Sequence, residues 1–511
     1  MSSRFARNSA FATLAGIGAA FGSFLSSVII ARILGLEGSG TVAFALWIAT
    51  LIATVADLGV NASLMRYLPE LTARGEPEQA RHLTAFLFRP LALASLVALA
   101  AFALYAARLW VDDAIPEHGS DLASHWREQP IMWLLIGVSC TMQVLGSFAM
   151  GYLRGMQRFD RAASLTIITV VLHLGAVAAG SVAFGIVGAL GGSCIGSIIP
   201  AAIALSLVHR DVHLSDELKR RVMRYARYAW AGGLASAFVW SRGEVFFLDR
   251  SWGSEAVGLF TVALTFSNLA VQGPMLLTGG LLPYFSESFG RNAIADIRDG
   301  YSAATRIMGF LVFPACFGLA AIMPAALPLI YGQAFVDAVP AAIVLVTASS
   351  FAAVASVGSN LVFGLDRSDF IFVAGWAGAA LSILAGLTLI PMFGVMGASW
   401  ARAAIQMAMV ALGMWFIVRR LKCRTPLSDL ARLLIAAALC AIAARGCIVF
   451  LPGIAALPVA ILTGAIVYVA AIRLLRALPK NDVDRLQSFC RRLPKALRVS
   501  SEFGLQLIFG R

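Results

Sequence analysis

Charge is what this sequence has least of. Only 13% of its 511 residues are Asp, Glu, Lys or Arg, where a soluble domain carries roughly a quarter. With 59% hydrophobic residues and a mean hydropathy of +0.83, a soluble enzyme and a disordered chain are both excluded. The seven cysteines (140, 194, 316, 423, 440, 447 and 490) show no CxxC spacing and are expected to be free thiols. No zinc-ligand spacing or nucleophile elbow falls on a credible loop. The glycine-rich stretch Gly188–Gly196 lies inside an apolar run and lacks the strand that precedes a phosphate-binding loop. We therefore expect no catalytic residue, no metal and no cofactor. Without an ATPase signature, energy must come from an ion gradient, the membrane potential or the substrate's own gradient.

What is present is a succession of apolar runs, each about twenty residues long and able to cross about 30 Å of hydrocarbon as a helix. The runs are continuous rather than alternating, which excludes a β-barrel. The fold class expected is an all-α polytopic membrane protein of about fourteen spans, near 11–30, 41–62, 86–105, 131–151, 163–183, 186–208, 228–248, 256–282, 302–323, 338–361, 369–390, 395–418, 431–451 and 455–475. Arg4 and Arg7 before Phe11–Ile30 resemble a signal peptide, but that run is too long for one and reads as an uncleaved first span.

Charge placement orients the spans. With span ends counted with the side they adjoin, the cytoplasmic side holds 33 of the 40 Lys and Arg residues and the outer side 5, while Arg242 and Arg402 lie deeper within spans. This places both termini in the cytoplasm. It also explains the net charge of +13 without a nucleic-acid partner. The longest outer loop, near 106–130, is too small for a catalytic domain. Ser215, Asp216 and Glu217 read as a helix start. Leu214, Leu218, Val222 and Tyr225 then form an apolar stripe, read as an amphipathic helix on the inner leaflet. The tail from Asn481 to Arg511 sets Val483, Leu486, Phe489 and Leu493 opposite Arg485, Arg491 and Arg492; the same surface anchoring is expected there.

The chain repeats itself. Phe184–Ala189 matches Phe393–Ala398 and Gly155–Arg158 matches Gly364–Arg367, both at an offset of 209, while Gly40–Leu46 matches Gly258–Leu264 at an offset of 218. Six spans per copy is an even number, so the copies share orientation and should be related by a pseudo-two-fold along the membrane normal. The expected division is 1–208 and 228–420 as six-helix lobes, 209–227 as a cytoplasmic amphipathic linker, 421–476 as two added spans and 477–511 as a basic tail.

Charges inside spans are the candidate chemistry, since each costs at least ~2.5–3.5 kcal/mol at membrane depth. Arg242 and Arg402 lie at similar depth in the second half, and Arg402 shares a helical face with Gln406. Asn268 and Gln272 add polar groups in the eighth span. Arginine keeps its charge when desolvated and grips phosphate oxygens in pairs, so these five are the expected substrate-binding set. Glu244 and Asp57 are the expected charge-tuning or ion-coupling acids. In span 7, Arg242 and Asp249 share a face with Glu244 opposite; Asp57 shares one with Asn61 in span 2. The small residues Gly18, Gly22 and Ser26, and Gly188, Gly192 and Gly196, read as close helix packing. His173 reads as a hydrogen-bonded packing residue.

Ala31–Gly40 resembles the "AR-x-LG-x-x-x-x-G" loop of bacterial polysaccharide flippases, and Leu153–Phe159 resembles their "x-RG-x-x-RF" loop. Gly185–Ala189 and Glu255–Phe260 also fit. The resemblance is to the repeat-unit flippases of the multidrug, oligosaccharidyl-lipid and polysaccharide exporter superfamily. It implies two six-helix lobes around a central cavity. It also implies transfer of undecaprenyl-pyrophosphate-linked glycans across the inner membrane by a monomer, with membrane lipids, a coupling proton or sodium ion and a polysaccharide polymerase or export machinery as partners. The first span lacks the arginines that lipid II flippases carry there, which argues against the peptidoglycan precursor. A cation-coupled multidrug exporter of the same superfamily, and a membrane glycan polymerase or ligase, are the alternative functions.

Overall fold

The structure, a computed structural model, describes residues 3–112, 129–207, 214–240, 243–451, 453, 455–479 and 482. Every regular element among them is helical. Among the described residues, ten helices are long and apolar enough to cross a membrane. Three of these, spanning Ala15–Ala56, Phe159–Ser206 and Asp369–Arg419, have 42, 48 and 51 residues, each enough for two crossings. Six of the expected spans thus sit in three pairs, each pair joined through a helix break at Gly35, Gly185 or Gly394. The chain divides into two compact units, Met1–Val262 with Gly375–Ala398, and Ala263–Ala374 with Ser399–Arg511. This contact-based division cuts through two helices. The six-span lobes rest on the repeat instead and remain our proposal.

The first unit contains α1 (Ser3–Ala56), α2 (Val60–Ala73), α3 (Pro77–Asp112), α4 (Pro130–Gly155), α5 (Phe159–Gly196), α6 (Ile198–Ser206), α7 (Asp216–Trp240) and the first part of α8 (Glu244–Leu276). The glycine stripes explain how these helices meet. A Cβ on Gly188 would lie 1.9 Å from the Gly180 carbonyl, and one on Gly192 would lie 2.5 Å from that of Ala176. The two limbs of α5 therefore run antiparallel with backbones touching, turned at Gly185 (φ 60, ψ −133). Gly22 packs on Val170 in the same manner, and Ser26 Oγ lies 3.0 Å from His173 Nε2. His173 is the packing residue expected.

The second unit continues α8 and adds α9 (Leu281–Gly290), α10 (Ile294–Tyr331), α11 (Val339–Gly364), most of α12 (Ser368–Arg419), α13 (Leu427–Phe450) and α14 (Ala456–Leu475). Tyr468 Oη donates to the Phe310 carbonyl at 2.7 Å, tying α14 to α10. Beneath them Arg306 meets Asp482 at 2.5 Å and Asp429 at 3.5 Å. Asp482 is 1% exposed, so the chain after α14 is bound to α10 by a buried ion pair. The remaining tail lies outside the described residues.

The repeat is visible in the backbone. Gly35 (φ 70, ψ −164) and Gly253 (φ 77, ψ −174) break their helices in the same way, as do Gly185 and Gly394 (φ 54, ψ −130). Gln157 and Asp366, 209 apart, both take positive φ, 58 and 55. Gly155 closes against the Leu64 carbonyl, and Gly364 against that of Leu282, again at offsets of 209 and 218.

Two expectations need correction. Residues 216–240 form one uninterrupted helix, so the linker and the seventh span are not separate elements. The break comes instead at Gly243, before α8. Second, the apolar stripe of the linker is covered by protein. Leu214, Val222 and Ala226 are buried, the rings of Tyr67 and Tyr225 meet edge to face at 5.7 Å, and Gly59 lets the Ala226 carbonyl approach so closely that a Cβ would stand 2.2 Å from it. The stripe packs on α2, a partner within the chain that its periodicity could not distinguish from a bilayer.

Candidate substrate site

The helix break at Gly243 makes Glu244 the first residue of α8, where a carboxylate is favoured by the unpaired amide groups of the first turn. Glu244 is 8% exposed and Asp249 5%, between Val245 and Leu248, which are fully buried. Each acid engages a partner group. Arg242 lies outside the described residues. The shared face of Arg242 and Asp249 assumed a single helix through 228–248. With Arg242, that expectation lies outside the described residues.

In the second unit, Arg402 and Gln406 lie on one face of α12 and are 7% and 8% exposed, among Ser399, Ala401 and Ala403, also buried. Trp400 and Met407 are exposed on the other side. Arg402 engages a partner group, whereas the Gln406 Oε1 is buried and receives no hydrogen bond among the described residues. An unsatisfied buried carbonyl costs about 1–3 kcal/mol, and is a candidate acceptor for a ligand hydroxyl.

Asn268 is exposed and Gln272 half-buried on α8. Their neighbour Ser267 is fully buried, 2.6 Å from Ser349 Oγ and 3.2 Å from the Leu345 carbonyl, and fixes α8 on α11. Asn268 and Gln272 correspond at offset 218 to Thr50 and Thr54. Thr50 Oγ1 lies 3.0 Å from Gln143 Oε1 on α4, a polar contact between helices that sequence reading missed. The corresponding span positions in both copies are thus polar.

Asp57 falls in the turn after α1, not within a span; Asn61 belongs to α2, so they do not share a face of one helix. Asp57 is half-buried in that turn, and its backbone carbonyl accepts the Val60 N–H at 2.9 Å. Its immediate work is to shape that turn.

The structure places Glu244 and Asp249 in the first unit, on α8, and in the second unit Asn268 and Gln272 on α8 and Arg402 and Gln406 on α12. It sets Asp57 at the end of α1. It adds two ion-pair clusters that sequence reading did not find, Arg306–Asp482–Asp429 and Glu70–Arg74–Arg221. Partners 176 and 151 residues apart leave no periodic signal.

One further contact concerns access. Within the first unit, a Cβ on Gly40 would stand 1.7 Å from the Ser254 carbonyl, and one on Gly258 2.5 Å from that of Leu36. Leu36 and Ser254 are themselves 218 apart, as are Gly40 and Gly258. The contact is reciprocal, which is the signature of a two-fold relation.

Long kinked helices in repeated pairs, with buried charge and no regular element other than helix among the described residues, mark an integral membrane protein. Comparison with known proteins narrows this. The family model described as "Polysaccharide biosynthesis protein" matches residues 5–289, more than half of the chain, and the protein belongs to that family. It is 22% identical over 183 residues to the teichuronic acid biosynthesis protein TuaB of Bacillus subtilis (strain 168), a match covering 35% of this chain and 37% of TuaB. Its fold is that of the lipid II flippase MurJ in an inward closed conformation, with a TM-score of 0.72 at 13% identity, over 91% of this chain and 98% of that one. An inward-facing multidrug resistance transporter of the MATE family, of the MOP superfamily, matches with a TM-score of 0.60 at 14% identity, over 81% and 95%.

Proposed function

We propose that this protein is a flippase that carries undecaprenyl-pyrophosphate-linked oligosaccharide units from the inner to the outer leaflet of a bacterial inner membrane, by alternating access, for polysaccharide biosynthesis. The reading joins the family and its transporter fold to one local observation. Arg402 and the unsatisfied Gln406 carbonyl share a buried face of α12. A guanidinium suits a pyrophosphate, and an orphan amide carbonyl suits a sugar or water hydroxyl. Arg242 is proposed as the second cation, Asn268 and Gln272 as further polar contacts, and Glu244 and Asp57 as the acids that tune charge or take up a coupling proton or sodium ion. The protein transports rather than catalyses, acts as a monomer with both termini in the cytoplasm, and delivers substrate to a polymerase or export machinery.

Alternating access draws support from Gly40 and Gly258. By the charge count, both lie at ends of spans assigned to the outer side, and their reciprocal contact closes two corresponding loops on each other. A state open to the outside would have to part them. The test is genetic and chemical: a deletion strain should accumulate lipid-linked units on the inner leaflet, and Arg402→Ala should fail to relieve that. Accumulation on the outer leaflet would favour a polymerase or ligase. The second reading, a cation-coupled exporter, is favoured specifically by the two buried acids Glu244 and Asp249; resistance to cationic drugs, unaffected by Arg402→Ala, would support it.

A further inference from the structure

One helix joins the cytoplasmic cluster around Glu70 to the segment that carries Glu244. The 25 residues of α7, Asp216–Trp240, are unbroken and extend about 37 Å at 1.5 Å per residue. Ser215 Oγ accepts the Leu218 N–H at 3.4 Å to start it, with Asp216 and Glu217 in its first turn.

Near its start, Arg221 pairs with Glu70 of α2, which also holds Arg74 at 2.7 Å. The Arg221 guanidinium lies 5.2 Å from the Tyr67 ring, and that of Arg66 lies 4.5 Å from the Tyr225 ring. The Arg221 and Glu70 side chains remain 45% and 27% exposed, so water competes for the pair and it is readily opened. Beside it lies a cavity of about 220 Å³ lined by Glu76, Gln79, Ser215 and Glu217, among others, room into which the end of α7 can move. Midway, α7 is held more firmly: Ala226 sits on Gly59, and Trp230 Nε1 donates to the Val55 carbonyl at 2.9 Å. At the start of α8, past residues 241–242, the Phe246 N–H bonds the Gly243 carbonyl. There Val245 and Leu248 are fully buried, and Phe247 fills the space beside Gly386. That end is packed too tightly to move alone.

We infer that α7 is a lever. Glu70 latches its cytoplasmic end, residues 226–230 act as the fulcrum, and release of the latch shifts the turn at Gly243 and the Glu244 segment behind it. Such a lever works on the chain itself, whichever substrate is carried.

The test uses the full chain in nanodiscs, with Glu70→Arg, Arg221→Glu, the double exchange, and Glu70→Gln in case the reversals fail to fold. Amide exchange reports on residues 214–227. A Gly243→Cys thiol, labelled with a hydrophilic maleimide against the protein without it, reports on the far end. Each single reversal should raise exchange at 214–227 roughly threefold, the size of one exposed ion pair, and change the labelling rate in step. The double exchange should restore both, and Glu70→Gln should act in the same direction as the single reversals. Faster exchange with unchanged labelling would show that α7 is no lever. Unchanged exchange in Glu70→Gln would show that Glu70 is no latch.

Discussion

Gly40 and Gly258 sit back to back, each against the carbonyl of the residue four before the other, so that neither has space for a single methyl group. The relationship needs glycine at both positions and needs the two loops closed. Alanine at either site introduces overpacking of about 1–3 kcal/mol into this contact. If the contact is an outer gate, the protein escapes that cost by opening. Gly258→Ala should then make a Ser39→Cys thiol more accessible to impermeant maleimide from the outer side, with little loss of thermal stability. A large loss of stability without added accessibility would mean that the contact is a permanent seam.

The kink glycines give a graded prediction. A side chain at φ near +60° with ψ near −130° costs about 1–3 kcal/mol. Nothing lies within 4 Å of a Cβ on Gly185, whereas one on Gly394 meets the Trp252 ring at 3.1 Å. Both alanine variants should melt earlier in detergent, Gly394→Ala the more. As a control, Gly191→Ala meets nothing within 4 Å and should leave the melting temperature unchanged or raised, since alanine favours helix.

The Arg306 cluster predicts an asymmetry. Removing Arg306 takes the guanidinium from Asp482, which is 1% exposed, and breaking a buried pair costs up to about 3–5 kcal/mol. Arg306→Leu should therefore destabilise more than Asp482→Asn, which retains a hydrogen-bond acceptor. Equal melting temperatures would show that the pair contributes nothing.

Acid should open the α7 latch. The Glu70 carboxyl titrates below its ordinary range, chiefly because Arg221 hydrogen-bonds it. A lowered folded value means that docking is fully favoured above the ordinary glutamate range, about 4.3. It is lost as pH falls through the lowered value. A spin label at Arg220→Cys should stay immobile near neutrality and loosen only in acid. Loosening instead around pH 6 to 7, the ordinary range of histidine, would point to a different titrating group.

Much of this was legible in the residues themselves. Continuous apolar runs forced helices, and the paired motifs at Gly155 and Gly364, and at Gly185 and Gly394, marked backbone conformations that proved equal. The glycine stripe at 188, 192 and 196 foretold close packing because only one physical situation rewards it. The stripe at Leu214, Leu218 and Val222 was ambiguous, since a bilayer and a neighbouring helix reward the same pattern. Helix continuity through Tyr228 was obscured by charges crowded before it, and the break at Gly243 by the apolar runs that lie beyond Arg242 and Glu244. Of the candidate site, the burial of Arg402, Gln406 and Glu244 followed from their place in apolar runs. Nothing in the residue pattern signalled that the Gln406 carbonyl lacks a donor, or that Asp57 turns the chain.

Gln406→Leu separates function from packing. Replacing an orphan buried carbonyl with a hydrocarbon of similar size should leave stability equal or higher, yet reduce transport if that oxygen meets substrate. Lower stability with normal transport would assign Gln406 to the scaffold.

The central claim is tested most directly by reconstitution. Purified protein in liposomes, supplied with a fluorescent undecaprenyl-pyrophosphate oligosaccharide, is probed with an impermeant glycosidase that digests only the outer leaflet. A flippase that grips its substrate through Arg402 should render the protected inner pool digestible as wild type and leave it protected as Arg402→Ala. A pool that stays protected with the wild type, or is released equally by Arg402→Ala, would contradict that claim.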